Sequence, residues 1–314
     1  MQLMRVNLLI LMTLLPCALT GVASQTNSMS GDLSRPPTAP AGSGWFGTLK
    51  GGYVHQFDTS IDGGGDFDVN RFAIVGGVGY RPDFSRSVSL SAGYDWNDYG
   101  FSNTGLGSPW GNVHTLKLAA PVRWGLDEYW TLLVVPTIRW NAEDGADWGQ
   151  AFTGGGFAGF AYRFSEKLTL GPGFGALTQV EDSPSFFPVI IVQWEIVENL
   201  RLETGRGLGA SQGPGLSLSY ALSRDWQLIL GGRYEKLRFR LSESGVNANG
   251  AGEDRGVPVY LGLTWNWSRE GSVSLLGGIR FAGKLALDDA DGDEISSRDY
   301  STAPYVGFSF NLRY

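Results

Sequence analysis

An all-β protein, folded as a single up-and-down antiparallel transmembrane β-barrel of 14 strands, is what three features of this 314-residue sequence predict. From Trp45 onward, apolar residues alternate with small or polar ones in segments of about 9–14 residues. A period of two means a strand with two unlike faces. The breaks between segments alternate in character, one short and the next mostly long. Aromatic side chains gather at the segment ends rather than in their middles.

Before the first segment, residues 1–24 read "MQLMRVNLLILMTLLPCALTGVAS". One early Arg5 precedes an apolar core from Val6 to Leu19. Small residues follow, with Ala23 or Ser24 at a fitting cleavage site, which is the pattern of a secretory signal peptide. Cys17 is the only cysteine. Pro16 before it does not suit a lipoprotein, so Cys17 is expected to leave with the signal and no disulfide is expected. Residues 25–44, rich in Ser, Pro, Gly and Ala, show no periodicity and read as a disordered periplasmic leader. The barrel is then 45–314.

Fourteen segments follow, at 45–57, 68–80, 87–98, 112–124, 129–141, 150–163, 167–180, 185–195, 199–207, 214–222, 226–240, 257–267, 272–285 and 301–314. Two of them, 199–207 and 214–222, are short and weakly patterned, and without them the barrel has 12 strands. Pro121, Pro136, Pro172 and Pro188 fall inside segments. Proline lacks the N–H that a ladder needs, so bulges are expected there.

The short breaks are "RPDFSR", "GLDEY", "FSEK", "IVEN", "SRD" and "SREG". The others are mostly longer and acidic or Gly-rich, such as "SESGVNANGAGEDRG" and "LDDADGDEISSRDY". Tight periplasmic turns and longer outer loops are the layout of a membrane barrel. Both chain ends then fall on the periplasmic side. Segment length agrees, because a tilted membrane strand needs about 9–11 residues whereas globular strands peak near 5–6.

Alternation alone does not say which face points out, and a soluble lipocalin-type barrel would put its apolar face inward. The aromatics decide. Tyr80, Trp124, Trp130, Phe164, Trp194, Trp226, Trp265, Trp267 and Tyr314 lie beside short turns or at the terminus, and Phe57, Trp96, Trp140 and Phe186 lie at the opposite ends. Trp and Tyr favour the membrane interface, where the ring is in apolar surroundings and the N–H or O–H is wet. Two such belts fit a lipid-facing barrel.

The last segment ends in "YVGFSFNLRY". Its pattern, with Tyr314 last and Leu312, Phe310 and Phe308 behind it, resembles the C-terminal signal strand of bacterial outer-membrane β-barrel proteins. That resemblance spans nearly the whole chain and is to the class, not to one characterised transporter. It implies residence in the outer membrane, contact with its lipid, and recognition of these four residues by the barrel assembly machinery.

With the apolar face toward lipid, the other face carries Lys50, Arg71, Lys117, Arg123, Arg139, Arg163, Arg201, Arg233, Arg280, Lys284 and Arg313. Its acids are fewer: Asp95, Glu195, Glu203 and Glu235. Inward placement follows whatever the function, because a basic side chain in the hydrocarbon midplane costs about 2–4 kcal/mol. The functional reading is a water-filled path whose basic lining favours anions. Fourteen strands spaced about 4.8 Å and tilted near 40° give a backbone diameter of roughly 28 Å. Glycines at 52, 77, 155, 173, 231 and 278 either leave room in the lumen or mark wall curvature.

Asp289, Asp291 and Asp293 repeat as at the start of an EF-hand loop. Glu294 then stands where glycine is needed and Tyr300 where the closing glutamate is needed, leaving a solvated acidic loop or a loose Ca²⁺ or Mg²⁺ site. No other cofactor is expected. His55 and His114 fall on the apolar face with no serine or acid two residues away on their own strands, so no catalytic site is expected. A net charge of −7 argues against nucleic acid. The function implied is passage of small hydrophilic solutes. The alternative is a structural or surface-interaction barrel with an occluded lumen.

Overall fold

The alternating segments form strands β1 (Gly44–Ser60), β2 (Asp66–Arg81), β3 (Arg86–Ser102), β4 (Val113–Ala119), β5 (Val122–Gly125), β6 (Trp130–Glu143) and β7 (Phe152–Arg163). They continue as β8 (Leu168–Gln179), β9 (Asp182–Val197), β10 (Leu200–Thr204), β11 (Gly215–Ala221), β12 (Trp226–Arg233) and β13 (Glu235–Arg240). The last are β14 (Ala251–Asn266), β15 (Gly271–Asp288), β16 (Glu294–Tyr300) and β17 (Ala303–Arg313). This computed structural model describes residues 43–104, 108–204, 215–245 and 247–314. The expected signal peptide, with Cys17, and nearly all of the expected leader lie outside the described residues.

β4 with β5, β12 with β13, and β16 with β17 each follow one another as two parts of a single stave. The 17 strands of the sheet therefore make 14 staves. Closure comes from β1, which pairs antiparallel with β2 on one side and with β17 on the other, from Thr48↔Arg313 to Gln56↔Tyr305. Tyr314 and Gly47 then exchange two backbone hydrogen bonds of 3.0 Å. Both weakly patterned segments are present, as β10 and β11, paired to each other and to their neighbours.

Bulges do not fall where prolines led us to expect them. Pro136, Pro172 and Pro188 sit opposite Gly156, Ile190 and Phe174 in unshifted register. Only Pro121 marks a break, between β4 and β5. A wall strand sends alternate N–H groups to opposite neighbours, so one proline deletes one bond and leaves the register intact. The register shifts lie mostly near the loops, at Gln56/Thr59, Leu177/Gln179 and Leu287/Asp288, with one at Leu200/Arg201 by a tight turn and one at Arg255/Val257.

Large apolar side chains point outward along the whole wall, among them Leu90, Phe174, Ile190, Leu261, Leu275 and Phe308. At the end of the short turns, aromatics gather in contact groups: Trp45 with Tyr80, Trp130 and Phe164 with Tyr162, and Trp265 with Trp226 and Trp267. On β6, Thr137 is buried in the interior while Ile138 is exposed. Cysteines at Leu132, Val134 and Ile138 should therefore take lipid-phase probes and resist aqueous thiol reagents. Cysteines at Thr131 and Thr137 should not take lipid-phase probes, and equal labelling of the two sets would contradict the face assignment.

One hairpin leaves the wall. β12 pairs with β11 and β14, but β13 pairs with β14 and, through a parallel bridge Arg240↔Ala142, with β6. Because β7 to β11 separate β13 from β6 around the wall, that bridge crosses the barrel at the end of the long loops. Leu237, Phe239 and Leu241 pack inside the mouth against Phe67 and Val69 of β2, Tyr99 of β3, Trp110 and Val113. Leu285, Leu287 and Tyr300 complete this core. Each fully buried side chain of this size stabilises by about 1.5–3 kcal/mol, so the hairpin is a fixed part of the fold.

Candidate functional site: the lumen and its ionic network

The infolded hairpin brings Asp254 to the centre of the mouth, where it is wholly buried. Its Oδ2 accepts from Arg71 Nη2 at 2.7 Å and from the Tyr99 hydroxyl at 3.0 Å. Its Oδ1 accepts from Arg280 Nη2 at 3.0 Å and from the Tyr300 hydroxyl at 3.1 Å. Arg280 reaches on to Glu235 at 3.3 Å, and Glu235 also accepts from Arg233 Nε at 2.7 Å. Four strands of the wall and the root of the hairpin are thus tied by charge-assisted bonds. The space left below them, beside Gln56 and Tyr305, is about 30 Å³.

The other face of β13 is cationic. Lys236 pairs with Glu253 at 3.0 Å and Arg238 with Asp288 at 2.6 Å. Arg238 also donates to the carbonyls of Val180 and Glu181 at the β8–β9 turn, at 2.5 and 2.8 Å. Arg240 pairs with Glu181 and donates to the Asn249 carbonyl. The hairpin therefore spans the mouth from its apolar contact with β2–β4 to its polar contact with the β8–β9 turn. An open cleft of about 630 Å³ remains on the outer side, between Gln179, Asp182, Arg240 and Asp291.

Deeper in the lumen, Lys117 donates to both oxygens of Asp95 at 2.9 and 2.8 Å, and Arg201 to Glu195 at 3.1 Å. Arg139 is buried on the same side. Lys50 faces inward opposite Asn311. The lining is not uniformly polar. Ala119, Leu133, Val135, Phe157, Ala161 and Ile191 form an apolar shelf on the inner wall from β4 to β9. Toward the short turns, Ser87, Ser89, Ser91, Ser217, Ser219 and Ser274 share the inward parity of their strands.

Lys284 departs from the expected lining. Ala282 has a left-handed backbone, with φ of 49°, and the β14–β15 register shifts beside it. The extra residue exchanges the two faces of β15. Leu285 and Leu287 then point into the mouth core, and Lys284 pairs outside with the exposed Asp299 at 3.5 Å.

Asp289, Asp291 and Asp293 form a turn instead of a cage. Asp289 Oδ1 accepts the backbone N–H groups of Asp291 and Asp293, each at 2.9 Å. Among the described residues no group of three or more His, Cys, Asp or Glu could hold a metal ion. Both histidines are on the outer surface. His55 meets Asn70 at 2.9 Å, and His114 lies between the Tyr94 hydroxyl at 2.7 Å and Asp144 at 2.8 Å. Hydrogen bonds from Asn112 and His114 hold the loop residue Asp144 below the usual carboxylate range.

Closure, staves long enough to cross a bilayer, an outward apolar wall and a polar-ended aromatic belt define a transmembrane β-barrel of the bacterial outer membrane. No family model and no curated protein matches the chain. Among solved structures it is similar to an outer membrane channel from Pseudomonas putida F1, at 10% identity and a TM-score of 0.48, over 89% of this chain and 99% of that one. It is similar to the P. putida toluene transporter TodX at 8% identity and 0.45, over 88% and 91%. The KdgM porin follows at 8% and 0.34, over 83% and 97%.

Proposed function

We propose that this barrel is an outer-membrane channel for small hydrophilic solutes, with its outer mouth constricted by the chain's own β13–β14 hairpin. The observation that carries this reading is the contrast along the axis. On β2, β3, β11 and β15 the inner half is lined largely by serine and glycine, which leaves space, and the hairpin that spans the outer end joins the far wall mainly through side chains. The occluded structural barrel is the second reading, favoured by the mouth core and the Asp254 network. Conductance in a planar bilayer separates them. The parent protein should conduct weakly. Leu237→Ser with Phe239→Ser, which loosens the hairpin but keeps Asp254, should raise conductance several-fold. Silence from both proteins would remove the channel reading and leave the structural one.

A further inference from the structure

Almost every cation inside the barrel meets a carboxylate. Arg71, Arg280 and Arg233 share Asp254 and Glu235, Lys117 has Asp95, and Arg201 has Glu195. At the end of the short turns this pattern breaks on β2, β5 and β7. Arg81, Arg123 and Arg163 have no carboxylate partner among the described residues, and the charged groups that act on Arg123 are the other two arginines. Arg123 Nε is buried without a hydrogen-bond partner. The Arg81 guanidinium lies over the Phe46 ring, 5.4 Å from its centroid, which leaves its N–H edges free to donate.

All three share the inward parity of their strands. Arg81 follows Gly77 and Gly79 on β2. Arg123 sits between Ser87 and Leu133, and Arg163 faces the buried Thr169. The inward positions between them are Ser87 on β3 and Leu133 and Thr131 on β6, none of which carries a charge that could pair with a guanidinium group. Like charges held together in a restricted space raise each other's energy, and an anion bound between them removes that cost. Planar guanidinium groups also match the two-oxygen edge of a carboxylate or phosphate.

We propose that Arg81, Arg123 and Arg163 form a binding site for a small oxyanion at the inner end of the lumen. The site names the solute class for the channel reading and rests on it, but binding is measurable without conduction. Equilibrium dialysis of the folded, detergent-solubilised full chain at low salt, with inorganic phosphate in one arm and succinate in the other, tests it. Saturable one-site binding is expected in at least one arm. Arg123→Gln should weaken it tenfold or more, and Arg163→Gln should weaken it as well. Arg201→Gln, in a paired lumen residue, should leave it unchanged, with retention of heat-modifiable mobility confirming that each variant folds. No saturable binding in either arm, or an equal loss in Arg201→Gln, would overturn the site. Binding in a barrel that does not conduct would keep the site and remove the channel.

Discussion

Asp254→Ala is expected to destabilise the folded barrel by about 3–5 kcal/mol, the cost of removing one partner from a buried ion pair. Asp254 accepts from two arginines and two tyrosines with no solvent exposure. Without it, Arg71 and Arg280 face each other in the mouth, with Glu235 left as the acid beside Arg280. Asp254→Asn should cost less, because its amide oxygen still accepts, yet it also removes the negative charge between the arginines. The readout is the denaturant midpoint of tryptophan fluorescence in detergent. A loss below about 1 kcal/mol in Asp254→Ala would mean that water solvates the arginines, and the mouth would then be wetter than its burial implies.

Why was this residue not among the lumen acids expected from the sequence? Asp254 and Glu253 fall in "SESGVNANGAGEDRG", a Gly-rich stretch with loop composition. Acids there were assigned to solvent, whereas the arginines they neutralise lay on strands with clear parity. Arg71, Arg233 and Arg280 are legible as inward residues, but the basic lean of the lining is reduced by the acids that fold in to meet them. The hairpin had left a trace. If alternation continues unbroken from Trp226 to Arg240, with Arg233 and Glu235 inward, then Lys236, Arg238 and Arg240 must face lipid. Three cations in hydrocarbon are too costly, so the strand has to leave the wall after Arg233.

The wall itself was readable because a membrane strand is constrained on every residue: one face lipid, the other not. Fourteen staves are readable from that constraint together with the alternation of short and long breaks, with only the weakly patterned 199–207 and 214–222 leaving 12 as the alternative. The bulge at Ala282 did not, since alanine carries no left-handed preference and one extra residue changes the face of Lys284 without changing composition. Likewise the apolar shelf of Leu133, Val135, Phe157 and Ile191 lies on inward positions, where the alternation rule allows either polarity.

Phe308→Arg with Phe310→Arg should abolish the folded, heat-modifiable band and membrane insertion altogether. Both side chains lie on the outward face of β17, paired in register with Tyr53 and Gly51 of β1. A basic residue on the lipid face costs about 2–4 kcal/mol at the midplane and less toward the interface, a sizeable part of the 5–15 kcal/mol that holds a typical fold. They also sit on the closing stave, whose loss exposes the β1 and β15 edges to lipid, where unpaired backbone groups are far costlier than in water. Reading of this strand by the assembly machinery predicts a second, separable effect. Gly51 leaves little room beside Phe310, as a side chain there would meet the ring, so the aromatic fills a space made for it. Phe310→Leu keeps the outward face apolar but removes the ring. It should refold in detergent with near-parent stability and yet insert poorly in cells. Equal insertion of Phe310→Leu and the parent in cells would assign the strand's role to closure alone.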